Sequence, residues 1–158
     1  MKFRTIVRHG VIVASVLLGA FSLNVYAQEA GRDAIYRRFE EYSADTSPDN
    51  IREILDAFAQ HLKLNPSLRA FLISYGGKQS CRNEALLRAR LATRYLSKMH
   101  GISSNRSTIL KGGYREDWVV QLWVGSPGAK TPSPTRTISR KRVLISGDCK
   151  LTALDSSR

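Results

Sequence analysis

Acidic residues are scarce in this sequence: 13 Asp and Glu stand against 25 Lys and Arg among 158 residues, a formal net charge of +12. A chain this basic is drawn to polyanions by long-range attraction, although surplus Lys and Arg also serve simply to keep a protein in solution. Histidine is rarer still, with three in the chain, and His61 and His100 stand alone in helical sequence. The two cysteines have no clustered His beside them, so no tetrahedral zinc site can be assembled, and neither metal nor cofactor is expected. A serine hydrolase needs an activated Ser, a placed His and an acid, and no Gly-x-Ser-x-Gly elbow occurs. Gly76-Gly77-Lys78-Gln79-Ser80 falls short of a nucleotide-binding loop. Leu72 stands where that loop requires its first glycine, and Gln79 where it requires a Ser or Thr after the lysine. The chain is therefore expected not to be an enzyme.

Long apolar runs are also missing. Val11 to Val25 is the one extended uncharged stretch, shorter than the roughly 20 residues a spanning helix needs. Lys2, Arg4 and Arg8 precede it, and Val25-Tyr26-Ala27 places small residues three and one before Gln28. Residues 1 to 27 thus read as a cleavable secretory signal peptide, and no Cys follows to suggest a lipid anchor. The expected location is periplasmic or secreted, with nothing spanning a membrane after cleavage. Removing 27 of 158 residues leaves 131, one domain's worth. The three basic residues lost leave 22 against 13 acids, a net charge of +9. In an oxidising compartment thiols tend to pair, so Cys81 and Cys149 are expected to form a disulfide.

Within the mature chain, Ala34 to Tyr42 reads as a first strand, with a short helix as the alternative. Ser47-Pro48-Asp49 supplies an N-cap, a proline at the first helical position and an acid in the first turn. Ile51, Ile54, Leu55, Phe58, Ala59 and Leu62 then recur at spacings of three and four until Asn65-Pro66 stops the helix. Leu68 to Tyr75 reads as a buried strand ending in Gly76-Gly77, and Asn83 to Met99 as a second helix closed by Gly101. Ser107 to Lys111 and Trp118 to Val124 read as strands. Ser126 to Thr137 is rich in Pro, Ser and Thr, a linker or long loop, before a possible last strand at Arg142 to Ser146. The division is 1–27 signal peptide, 28–125 folded domain, 126–140 basic linker or loop and 141–158 last strand and tail. Strand, helix, strand, helix, strand, strand implies an α/β two-layer sandwich, a mixed sheet with two helices on one face.

One residue breaks the amphipathic pattern of the second helix. At 100° per residue, Leu91, Ala92, Tyr95, Leu96 and Met99 spread over one apolar arc, and Arg88 falls inside it. Such an arginine must snorkel, pair with an acid or meet a ligand anion, and Glu84 stands one turn earlier as an internal partner. Lys78 to Lys111 holds eight basic residues against that single acid, with Tyr95 its only aromatic. Single-stranded nucleic acid wants aromatic platforms as well as charge and is not an expected partner. Tyr75-Gly76-Gly77 and Gly112-Gly113-Tyr114-Arg115-Glu116 end strands that should be neighbours, so Tyr75, Tyr114 and Arg115 are candidates for a shared anion-binding surface.

From about Asp49 to Glu116 the chain resembles the OmpA-like domains that bind peptidoglycan at the ends of outer-membrane and flagellar-motor proteins. The resemblance runs through Asn65-Pro66, Phe71-Leu72-Ile73, Arg88-Ala89, Tyr95-Leu96, Gly101-Ile102, Arg106 and the glycines before Glu116. It implies that Arg88 grips a peptide-stem carboxylate. The family pairs that arginine with an aspartate after the second strand, in a Gly-His-Thr-Asp run. Here Tyr75-Gly76-Gly77-Lys78 stands instead, with Lys78 close to the missing acid's place. The family's Asn and Leu-Ser are replaced by Cys81 and Glu84-Ala85. A site so altered is expected to prefer plain anions, so the implied partner is peptidoglycan or another anionic envelope polymer. The alternative is a structural or protein-interaction module with Arg88 paired internally. The Tyr-Gly-Gly and Gly-Gly-Tyr-Arg-Glu segments are also similar to those of small secreted bacterial proteins.

Mature protein recovered after export is expected to begin at Gln28 and to stay in solution without detergent. N-terminal mass spectrometry checks this, and an intact Met1 on membrane-retained protein refutes it.

Overall fold

The computed structural model describes residues 35 to 151, and the signal-peptide reading of residues 1 to 27 lies outside them. Strand β1 (Tyr36–Ser43) leads into helix α1 (Pro48–Leu64), strands β2 (Arg69–Gly76) and β3 (Gln79–Arg82), and helix α2 (Glu84–His100). Strands β4 (Ser107–Tyr114), β5 (Val119–Gly125) and β6 (Leu144–Asp148) follow.

Both helices are bounded by local chemistry. The Ser47 hydroxyl accepts the Asn50 N–H at 3.2 Å, Pro48 opens the first turn of α1, and Ile51, Leu55, Phe58, Ala59 and Leu62 are buried along one face. At the other end of α1 the Arg106 guanidinium donates to the carbonyls of Leu62 (2.9 Å), Asn65 (3.1 Å) and Leu68 (2.9 Å). It thus occupies the Leu62 carbonyl in the last turn of the helix and ties that turn to the Asn65–Leu68 turn that follows. Helix α2 closes at Gly101, whose φ of +69° suits glycine, with the Gly101 and Ile102 N–H groups returning to Ser97 and Leu96.

Four strands form a mixed sheet in the order β1-β5-β2-β4, with β2 parallel to β4 and β5 antiparallel to both β1 and β2. Ala70, Leu72, Val120, Leu122 and Val124 share one core with Leu55, Phe58 and Leu62 of α1 and Ala92 and Leu96 of α2. The expected mixed α/β sheet with two helices is therefore present, its helices on a common face. The order differs from expectation in two places. Gln79–Arg82 forms the extra strand β3, and β6 pairs with it in parallel as a separate two-stranded sheet. The buried arc of α2 is also displaced. Ala89, outside the expected arc, is buried at its edge beside Ala92, Tyr95 and Leu96, while Met99 in the last turn is exposed.

The second sheet face carries Phe71, Ile73 and Tyr75, all buried. Residues 126–138 lie against it without regular structure. The Thr135 N–H donates to the Tyr75 hydroxyl at 3.1 Å, and Pro132 and Ile138 are buried. A Cβ at Gly125 would stand 2.8 Å from the Phe71 ring and 3.2 Å from the Ala129 methyl. Tyr75 in turn requires Gly112, where any Cβ would fall 2.4 Å from its ring. Beyond this packed loop, Cys149 is disulfide-bonded to Cys81 with Cα atoms 5.1 Å apart. The bond joins residues 68 apart in sequence, a closure that stabilises by roughly 2–4 kcal/mol.

Across the helical layer, Asp56 of α1 accepts from the Tyr95 hydroxyl at 2.8 Å, and its same oxygen lies 2.7 Å from His100 Nε2. Burial first, and then the hydrogen bond to Asp56 and its charge, push the Tyr95 phenol up to about 12, with Arg52 opposing. An unfolded tyrosine titrates near 10, so between these values the unfolded chain has released a proton that the native one keeps. Stability is therefore full below pH ~10 and declines as pH rises toward 12. Denaturant unfolding at stepped alkaline pH should show this decline, and Tyr95→Phe should make it shallower.

Candidate functional site around Arg88 and the glycine turns

Arg88 sits one turn into α2, directly above Glu84. Its Nε and Nη2 donate to Glu84 Oε1 at 3.1 and 2.8 Å, and the Ser80 hydroxyl donates to Oε2 at 2.8 Å. Both oxygens of the carboxylate are thus occupied. Glu84 is 7% exposed and Arg88 20%, so the pair is largely withdrawn from water. The guanidinium lies flat against Trp118, its carbon 3.6 Å from the ring centroid. Tyr42 meets the same indole edge-on at 6.2 Å. The Tyr42 hydroxyl is buried with no hydrogen-bond partner among the described residues, and burial raises this phenol far above its ordinary value, with the nearby Arg88 charge opposing. Chemically this is a neutralised, aromatic-shielded ion pair, with the first turn of α2 held to β3 through Ser80.

The other residues singled out in the sequence do not join Arg88. Lys78, in the turn between β2 and β3, lies 3.7 Å from Glu116, and both are mostly exposed. Tyr75 projects to the opposite sheet face, where its hydroxyl lies 3.4 Å from Gln121 Oε1. Gln121 also receives the Trp123 indole N–H and donates to Glu41 at 3.0 Å. Arg115 stacks on Tyr75 at 3.9 Å. The two glycine segments do run side by side, Tyr75 against Gly113 and Gly76 against Tyr114 in the parallel ladder. Yet Tyr75 and Arg115 are bound up with the covering loop, whereas Tyr114 faces a cleft together with Gly76, Ser80, Arg82, Lys111 and Arg140, and Lys78 lines a separate one with Glu116 and Trp118.

Two participants escaped the sequence reading. Trp118 stood only as the start of a strand, and no spacing rule links it to a helix 30 positions earlier. Arg140 belongs to the Pro-rich tract, whose composition suggested a linker and nothing about what it covers.

Because Arg88 leaves behind a buried carboxylate when removed, Arg88→Ala should cost about 2–4 kcal/mol of unfolding free energy. Glu84→Gln, which retains hydrogen bonding without the charge, should cost less. Urea denaturation compares them, and a loss below ~0.5 kcal/mol in Arg88→Ala would remove the structural role assigned to the pair.

Comparison of the chain with protein-family models, with curated proteins and with solved structures gave no match.

Proposed function

We propose that this chain is an exported, non-catalytic module of the OmpA-like kind that binds anionic envelope material, peptidoglycan included, through its basic surface, with Arg88 serving the fold. The observation that carries this reading is the exposed positive charge outside the Arg88 pair, whereas Arg88 itself spends its hydrogen bonds on an acid of its own helix and its face on Trp118, a pairing that belongs to the structural alternative. A stem-peptide carboxylate would have to displace that acid. Exposed positive charge without an ion pair among the described residues lies elsewhere, on Arg90 and Arg94 of α2, on Lys111, and on Arg140, Lys141 and Arg142. Attraction through such a surface is long-ranged and screened by salt. The Cys81–Cys149 disulfide supports an extracytoplasmic site of action, and no helix among the described residues is long and apolar enough to cross a membrane.

A second reading, a protein-interaction module, is favoured by β6. Its Leu144 is 70% exposed and Ile145 39%, and β6 has β3 as its one partner strand among the described residues. An edge of this kind is a template for a strand from another chain.

Co-sedimentation with purified peptidoglycan sacculi separates the readings. Binding should be present at low salt, fall about tenfold or more near 0.5 M salt, and persist in folded Arg88→Ala. Salt-resistant binding abolished by Arg88→Ala would return the ligand to Arg88. Absence of binding at every salt concentration would favour the protein-interaction reading.

A further inference from the structure

A cleft of about 320 Å³ opens where the start of α2, the end of β4 and the C-terminal segment meet. Its wall includes three cations, Arg82, Lys111 and Arg140. The acid in the wall, Glu84, is already ion-paired with Arg88 and hydrogen-bonded by Ser80. Asp148 lies 3.6 Å from Arg82, but both side chains are mostly exposed, and exposed pairs of this kind are worth little. Arg140 rests over the Tyr114 ring at 5.6 Å, and Lys111 has no ion pair among the described residues. The cleft therefore gathers positive charge that the protein does not itself satisfy.

We infer that this cleft binds a phosphomonoester carried on a sugar- or polyol-sized body. The inference rests on the proposed binding of anionic envelope material and narrows it to one chemistry and one place. A phosphomonoester brings nearly two negative charges at neutral pH, a better match to three cations than a single carboxylate. Guanidinium groups present forked donors to phosphate oxygens, and a lysine adds a point charge. The volume lies at the low end of small-ligand sites, roughly 300–1,000 Å³, and exceeds what a bare phosphate fills. Tyr114 and Ile145 supply apolar wall for the attached body. Two of the lining residues, Arg140 and Ile145, come from the C-terminal segment, which reaches this place through β3–β6 pairing and the disulfide. Cys81 is itself part of the wall. A built site of this kind depends on that clamp, whereas a diffuse basic surface does not.

The probe is sn-glycerol 3-phosphate, titrated calorimetrically into the disulfide-intact mature chain, with glutarate as a dicarboxylate control. Glycerol 3-phosphate should bind several-fold more tightly than glutarate. Lys111→Gln and Arg140→Gln should each weaken it about tenfold, while Lys63→Gln and Lys130→Gln, equal in charge change but exposed and outside the cleft, should change it by about twofold or less. Cys81→Ser with Cys149→Ser leaves the net charge unaltered and should also abolish binding. Equal, small effects from all four charge variants, or a preference for glutarate, would overturn the cleft assignment. Vesicles of phosphatidylcholine carrying some phosphatidic acid identify the source. Vesicle binding lost in Lys111→Gln supports a lipid-borne phosphate, and binding of glycerol 3-phosphate without vesicle binding supports a soluble one. Sacculus binding that persists when glycerol 3-phosphate binding is absent removes the cleft and leaves the envelope reading standing. Cleft-dependent glycerol 3-phosphate binding without sacculus binding does the reverse.

Discussion

Strand β2 cannot be left open to water on either face. Ala70 through Gly76 are all buried, with Ala70 and Leu72 toward the helices and Phe71, Ile73 and Tyr75 away from them. A two-layer arrangement covers one of those faces. Burying a large apolar side chain is worth roughly 1.5–3 kcal/mol, so three left exposed would forfeit several times the effect of an ordinary substitution. Something must therefore lie on the far side, and residues 126–138 do. Their lack of helix or strand follows from their composition. Pro127, Pro132 and Pro134 would spoil a sheet ladder but suit an extended cover, and Pro132 is buried in it. The covering loop answers the apolar character of β2, and the β3–β6 ladder and the disulfide hold the segment that follows it.

A second constraint acts on the helix face. Glu84 is a carboxylate at the first position of α2 with almost no access to water, where an isolated charge would be costly. Its position at a helix N-terminus is favourable to an anion, and Arg88 and Ser80 complete its coordination. The pair thereby fixes where β3 meets α2, and Trp118 shields it on the outside. Arg106 plays a comparable part at the other end of the core, where a flat, five-donor group can serve three carbonyls at once. In both places arginine organises backbone or buried charge instead of facing outward, which is why a count of basic residues overstates the charge available at the surface.

What could be read in advance follows from how local its causes are. Ser47-Pro48-Asp49 and Gly101 bound their helices through groups a few positions away, and both act as their chemistry dictates. The Glu84–Arg88 pair was open to the same reasoning, as one of two alternatives. The parallel meeting of β3 with β6 depends on a distant part of the chain, and a four-residue strand beside two glycines carries no periodic signature. Ala92, Tyr95 and Leu96 of the α2 face were legible from their spacing, whereas the buried Ala89 was missed because its small side chain adds little to a hydrophobic pattern. The cleft was invisible for the same reason as β3: its cations come from β3, β4 and the turn at Arg140–Arg142, which no linear motif joins.

The wide separation of Cys81 and Cys149 bears on how the molecule is made. A chain synthesised from its N-terminus presents Cys81 first, while its partner is still to come. The four-stranded sheet has all its strands by Gly125, so it can assemble before Cys149 arrives, and the last segment then docks on a finished surface. With two cysteines in the 158 residues, no wrong pairing exists within one copy. The error open to oxidation during that interval is a bond between two copies through Cys81. Maturation is thus protected by composition within a molecule and exposed to concentration between molecules.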